Sequence, residues 1–286
     1  MKKYLKLMRV HHYIKNFLVF AALACSGEFF VLKKLGLATL GFVSFCMISS
    51  VVYIINDIND VEKDRKHPTK KNRPIASGAV PIKNAIILAI VLGVIVLVCS
   101  YFINSWKAIC LLGLYFILNL GYSFGLKNIA IVDIAILASG FFIRLLYGSV
   151  VSMIDISNWL YLTVIAGAFY FALGKRRNEL KKNGSGKTRK VLKAYSEAFL
   201  DKNMYMCLGL MNMFYALWSM DADTIAHYNT EYLILTVPIV LLITMKYSMN
   251  IEGESDGDPV EVLVHDKVLI ILCLLFAILM FAILYC

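Results

Sequence analysis

Three carboxylates at the end of a long apolar run are the residues best equipped for chemistry. Asp57, Asp60 and Asp64 stand at i, i+3 and i+7 in the stretch Asn56-Asp57-Ile58-Asn59-Asp60-Val61-Glu62-Lys63-Asp64. If the preceding helix continues this far, all three share one face. Stacked carboxylates repel one another unless a cation neutralises them. Hard divalent ions such as Mg²⁺ take a few carboxylates completed by water and substrate phosphates. The basic run Arg65-Lys66-His67-Pro68-Thr69-Lys70-Lys71-Asn72-Arg73-Pro74 follows directly and could hold the rest of a polyanion's charge. A loop that only sets membrane orientation would also be rich in Lys and Arg. Orientation alone, however, does not call for carboxylates at helical spacing.

A second set of charges lies where a membrane should not tolerate them. Arg144 falls inside the apolar stretch 131–151, where a charge costs at least ~2.5 kcal/mol. Asp133 precedes it by 11 residues, about three helical turns, so both point to the same side, with Gly140 between them. Lys127 and Asn128 stand just ahead of Asp133. Two readings fit: a buried Asp–Arg pair joining helices, or a stripe facing a substrate, since Arg suits bidentate phosphate binding. Lys15-Asn16 opens the first apolar span, and Gly174-Lys175-Arg176-Arg177-Asn178-Glu179 closes the sixth. Lys175, Arg176 and Glu179 share one face if that helix runs another turn, with Glu179 placed to orient a cation. The five histidines are scattered without ligand spacing. The seven cysteines lie in or at the ends of apolar runs and form no C-x-x-C pair, so they suggest neither a disulfide framework nor a metal knuckle.

The elements that must position these residues are membrane helices. Hydrophobic residues make up 60% of the 286, and they fall in runs of about 20, the length that crosses a bilayer. Nine spans are expected, near 16–33, 36–56, 82–103, 107–124, 129–150, 158–174, 204–220, 231–247 and 267–285. The intervening segments alternate in basicity. One side holds 25 of the 29 Lys and Arg, the other three, and Arg144 lies within a span. That asymmetry puts the N-terminus in the cytoplasm and the C-terminus outside. The long polar loops 57–81 and 175–203 and the acidic stretch 252–258 then share the cytoplasmic side, where a catalytic face is expected. Gly184-Ser185-Gly186-Lys187-Thr188 lacks the glycine spacing and preceding strand of a phosphate loop and reads as flexible connection.

These motifs resemble a known group. Asn56-Asp57-x-x-Asp60-x-x-x-Asp64 after the second span is similar to the first acidic motif of the UbiA-type intramembrane prenyltransferase superfamily. Four further stretches are similar to its decaprenyl-phosphate phosphoribosyltransferase branch: Arg9-Val10-His11-His12-Tyr13-Ile14-Lys15-Asn16, the basic run ending at Arg73-Pro74, Tyr122 to Arg144, and Gly174 to Glu179. The chain departs from aromatic prenyltransferases, which usually carry a second D-x-x-x-D cluster after the fourth span. Here Asp133 is followed at that spacing by Leu137.

The resemblance implies an all-α polytopic membrane protein, a nine-helix bundle around a central polar cavity open to the cytoplasm, forming one catalytic domain over 1–286. It implies transfer of 5-phosphoribose from 5-phosphoribosyl 1-diphosphate to a polyprenyl phosphate in the lipid bilayer, with release of diphosphate and no nucleic-acid partner. Mg²⁺ on Asp57, Asp60 and Asp64 would stabilise the leaving diphosphate. Lys15, Asn16, Asn56, Arg73, Lys127, Asp133, Arg144, Lys175 and Arg176 are the expected substrate contacts. An already ionised phosphate nucleophile needs no strong general base, in keeping with the absence of His from these motifs. The alternatives are prenyl transfer to an aromatic or quinone acceptor, disfavoured by Leu137, and a transporter lined by Asp133 and Arg144. Transport would be favoured by paired Gly/Pro breaks in two halves, yet Pro238 is the only proline within a span.

Overall fold

The computed structural model describes residues 2–67, 70–183, 190–253 and 259–285, and every regular element among them is helical. Pro68-Thr69, the Gly184–Thr188 stretch, residues 254–258 of the acidic segment and Cys286 lie outside the described residues. In chain order, α1 (Lys2–Met8) leads to a 3₁₀ segment (Val10–Phe20) and α2 (Ala21–Ala24). Then come α3 (Leu32–Asn59), α4 (Val61–Arg65), α5 (Ile82–Ile103), α6 (Trp106–Phe124), α7 (Val132–Ser152) and α8 (Asn158–Asn183). The chain closes with α9 (Glu197–Met220), α10 (Ala222–Tyr228), α11 (Val237–Glu252), α12 (Pro259–His265) and α13 (Lys267–Tyr285).

Six described segments are long and apolar enough to cross a membrane by length and composition: α3, α5, α6, α7, Tyr232–Glu252 and α13. Large apolar side chains on α5 face outward, Ile90 at 62% and Leu97 at 70% exposure, as lipid-facing positions do. This is an integral membrane protein. α8 and α9 are long but more polar in composition. The expected first span, 16–33, is not one helix. Its 3₁₀ turns and α2 stop at Ala24, and Gly27 then takes a left-handed φ of 76°. Ser26 Oγ stabilises this turn by donating to the Leu23 carbonyl and accepting from the Glu28 amide at 3.0 Å. Local Ser and Gly chemistry overrides the apolar pattern here.

The chain divides into two compact units with a boundary inside α7. Unit 1 comprises residues 1–126 and 143–155. Part of its core is Leu7, Val51, Ile54, Ile75, Val80, Ala85 and Leu92, drawn from α1, α3, the turn after Arg73 and α5. Gly148 on α7 is where the 3₁₀ segment comes closest. A Cβ there would stand 2.0 Å from the Val19 carbonyl oxygen. That oxygen belongs to the backbone and cannot rotate away. Gly148→Ala is therefore expected to cost about 1–3 kcal/mol or more by overpacking, visible as earlier thermal unfolding in detergent.

Unit 2 comprises 127–142 and 156–286. α8 and α9 pack along their length around Ala168, Ala172, Leu200, Met204 and Cys207, with Tyr247 and Ile251 from α11 and Leu269 from α13. Ser196 caps α9 by accepting from the Phe199 amide at 3.1 Å. The polar stretch 175–203 is thus mostly structured: α8 continues through the basic cluster to Asn183, and a 3₁₀ segment (Lys190–Ala194) precedes α9.

Candidate active site

Unit 1 gathers the acidic motif and two arginines. α3 ends at Asn59, the Asp60 amide closes on the Asn56 carbonyl, and α4 starts one residue later. The expected single helical face is therefore interrupted at Asp60. Asp57 and Asp64 are buried, whereas Asp60 is partly buried and forms an ion pair with the exposed Lys63 at 3.6 Å. Arg73 Nη1 donates to Asp57 Oδ1 at 3.1 Å and to Asp64 Oδ2 at 2.6 Å, so both carboxylates converge on one nitrogen. Arg9 Nη2 adds a 2.7 Å bond to Asp57 Oδ1, with its guanidinium 4.6 Å from the Tyr53 ring centre. Asn56 accepts from the Ser123 hydroxyl, which ties the motif to α6. Arg9 carried no assigned role in the sequence reading. Its left-handed backbone, φ 53°, turns the chain between α1 and the 3₁₀ segment, and spacing does not reveal such a turn.

A second cluster in unit 1 holds the buried arginine of α7. Arg144 Nε donates to Asn16 Oδ1 at 2.7 Å and Nη2 to the Tyr115 hydroxyl at 3.3 Å. Its guanidinium lies 4.8 Å from the Phe45 ring centre and 5.1 Å from that of Tyr115. Asn16 is anchored in turn by its own contacts to Cys46 Sγ (3.2 Å) and Ser49 Oγ (3.4 Å). Two expected substrate residues, Asn16 and Arg144, are thus brought together. Two aromatic faces and an amide share in holding the charge of Arg144.

Unit 2 answers the other half of the sequence question. Asp133 does form a buried ion pair, but with Arg176: Arg176 Nε reaches Asp133 Oδ2 at 2.5 Å, and both side chains are fully buried. Arg176 Nη1 also donates to Glu179 Oε2 at 2.6 Å, the orienting contact expected from their spacing. The Tyr195 hydroxyl donates to Asp133 Oδ1 at 2.5 Å and accepts from the Ile131 amide at 2.6 Å. Burial and the neighbouring Asp133 carboxylate push the Tyr195 hydroxyl well above the usual phenol range, so it stays a donor. Next along α8, Arg177 bonds Asp201 and Asn178 donates to the Ile251 carbonyl at 3.0 Å. Lys127 and Lys175 of this unit, and Lys15 of unit 1, are half-buried. Tyr195 was missed because its partners lie more than 60 residues away.

The chemistry on offer is anion handling. Unit 1 presents two buried carboxylates as hard oxygen donors beside two guanidiniums, together with Arg144 against Asn16, Phe45 and Tyr115. Among the described residues no three His, Cys, Asp or Glu side chains form a ready cation cage. A pair of converging carboxylates still matches Mg²⁺, which keeps waters and substrate oxygens in its shell.

Residues 16–263 match the model of the UbiA prenyltransferase family. The chain is 37% identical over 283 residues to a decaprenyl-phosphate phosphoribosyltransferase of Mycolicibacterium smegmatis, covering 94% of this chain and 88% of that one. It is 35% identical over 279 residues to the protein of the same description from Corynebacterium glutamicum, covering 94% and 83%. In three dimensions it is similar to a UbiA homolog from Archaeoglobus fulgidus, solved bound to GPP and Mg²⁺. That match has a TM-score of 0.73 and 21% identity, and covers 99% of each chain. The family model and the relatives span nearly the whole sequence, and the solved structure shares the all-helical architecture. The chain therefore belongs to the UbiA prenyltransferase family.

Proposed function

We infer that the protein transfers 5-phosphoribose from 5-phosphoribosyl 1-diphosphate to a polyprenyl phosphate and releases diphosphate. The observation that carries this reading is the 35–37% identity to decaprenyl-phosphate phosphoribosyltransferases along 94% of the chain. It is supported by Leu137 in place of a second carboxylate and by the cationic side chains around the motifs. The reading takes the 286 residues as one catalytic domain with nine membrane-crossing segments. The N-terminus lies in the cytoplasm and the C-terminus outside, read from the placement of Lys and Arg, and the family resemblance adds a polar cavity open to the cytoplasm.

In this reading Asp57 and Asp64 hold Mg²⁺, with Asp60 at the rim. Both carboxylates already meet at Arg73 Nη1, so their oxygens suit a shared cation. When bound, Mg²⁺ supplies Lewis-acid stabilisation of the leaving diphosphate. Arg73, Lys15, Lys127, Arg144 and Lys175 bind phosphates of the donor and the lipid. Asn16 orients Arg144, and Asn56 is held by Ser123 beside the acids. Arg176 is committed to Asp133 and Glu179 and acts by fixing α8. Bond cleavage at ribose C1 builds positive charge on the sugar, and the ionised lipid phosphate attacks the opposite face. Positioning both anions and excluding water are the protein's principal contributions.

The test is product formation by purified protein in detergent with Mg²⁺, a polyprenyl phosphate and labelled 5-phosphoribosyl 1-diphosphate. A parallel reaction offers a polyprenyl diphosphate with 4-hydroxybenzoate. Labelled lipid in the first reaction, lost with EDTA, is the expected result. Product only in the second reaction would reassign the protein to prenyl transfer.

Arg144→Met offers a separate check. The substitution leaves the buried Asn16 Oδ1 without its 2.7 Å donor, so a moderate stability loss of about 1–3 kcal/mol is expected. Loss of a charge-assisted contact should raise KM for a phosphorylated substrate about 10-fold or more. An unchanged KM with collapsed stability would make Arg144 a packing residue.

A further inference from the structure

Tyr195 lies in the polar connection between α8 and α9 and has no part in the reaction as described above. It is held from both sides. Val191 and Leu192 ahead of it are buried in the core of unit 2, and Ser196 behind it caps α9. Its ring stacks on Phe199, with centroids 6.0 Å apart and planes at 10°. From this fixed place its hydroxyl reaches the corner where the chain enters α7, accepting from the Ile131 amide at 2.6 Å and donating to Asp133 at 2.5 Å. Ile131 has φ 68°, a conformation that β-branched residues avoid. Directly before it comes the 3₁₀ turn Leu126–Asn128, which carries Lys127. The other oxygen of Asp133 receives Arg176. One phenol thus fixes the direction of the chain leaving the Lys127 turn and, through Asp133, the setting of Arg176.

We propose that Tyr195 is a positioning residue for donor binding, acting through the left-handed Ile131 and through Asp133 to hold the Lys127 turn in place. The proposal rests on the phosphoribosyl-transfer reading and on Lys127 as one of its phosphate contacts. Tyr195→Phe keeps the ring on Phe199 but frees the Ile131 amide and one Asp133 oxygen. The strained corner then relaxes and Lys127 is no longer presented in one place. Binding of the phosphorylated donor weakens, while complexes that do form react normally. Asp57 and Asp64 make their contacts with Arg9 and Arg73, so metal binding is not expected to change.

The experiment is a double-mutant cycle on the full chain in detergent, with Mg²⁺ and 5-phosphoribosyl 1-diphosphate as the varied substrate. Tyr195→Phe and Lys127→Gln are each expected to raise donor KM roughly tenfold with kcat within about threefold. The double variant should match Lys127→Gln alone, because coupled residues are not additive. Thermal unfolding, read alongside, should show the two substitutions adding independently, which separates positioning from simple loss of stability. Additive KM effects, a Lys127→Gln variant with wild-type KM, or a fall in kcat at unchanged KM would each overturn the proposal. If Tyr195→Phe does not fold, the cycle is run in an Ile131→Gly background, since glycine takes φ 68° without strain. There the corner no longer relies on the phenol to hold a strained φ, so adding Tyr195→Phe is expected to change donor KM by no more than about threefold, and a tenfold rise would overturn the proposal. A wild-type protein that makes no phosphoribosyl lipid would instead refute the functional reading itself.

Discussion

Asp57→Asn is expected to reduce product formation by at least about 100-fold, the scale of losing one preorganised electrostatic group at a reacting centre. The substitution removes the charge that meets both Arg9 and Arg73 while keeping the shape of the last turn of α3. Folding should survive. The side chains of Arg9 and Arg73 are 21% and 28% exposed and can reach water, and Arg73 keeps its 2.6 Å bond to Asp64. Metal dependence provides the second readout. The residual activity should need far more Mg²⁺ for half-saturation than the wild type does. Asp60→Asn is expected to do much less, because Asp60 forms a 3.6 Å ion pair with the exposed Lys63. Full turnover by Asp57→Asn would remove the metal assignment, and equal damage from both variants would remove the distinction drawn between them.

Arg176→Met is expected to act mainly on the fold. Its guanidinium is wholly buried against Asp133 and Glu179, and the fully buried Asp133 carboxylate has no exposed surface to relieve it once the guanidinium is gone. Breaking a buried pair by deleting one partner costs about 3–5 kcal/mol, because an uncompensated charge stays behind. Thermal unfolding in detergent should fall sharply, and low yield on expression would be the same effect seen earlier. Replacing the pair together, as Asp133→Asn with Arg176→Met, should recover much of the loss, since no buried anion is then left without its cation. If Arg176→Met instead kept its stability and lost only substrate affinity, Arg176 would bind phosphate directly, as its place in the basic cluster first suggested.

The contrast between Arg144 and Arg176 shows where one-dimensional reading stops. Both are arginines in or beside apolar helices, and each could have been the partner of Asp133. Eleven residues along one helix place Asp133 and Arg144 on the same side, but their side chains stand about three turns apart along it, too far for a direct bond. The chain returning as α8 brings a guanidinium to Asp133 instead. Arg144 is met by Asn16, Phe45 and Tyr115 from three other segments. Helical spacing tells which side chains share a face, not what packs against that face.

The membrane character, the family and the acidic motif were all legible in the sequence. Each depends on features local to the chain: apolar runs of bilayer length and carboxylates at fixed spacing. Glu179 beside Arg176 belongs with them, because an i, i+3 relation within a helix is itself a local property. The turn at Gly27 is set locally by Ser26, whereas tertiary structure alone decided that Arg73 gathers Asp57 and Asp64 on one nitrogen. It also decided that Arg9 joins the acids and that Tyr195 fastens the start of α7. These outcomes depend on contacts between segments far apart in the chain, such as Arg9 with Asp57 and Tyr195 with Asp133. Their energies arise only when distant segments are packed, so no window of sequence contains them.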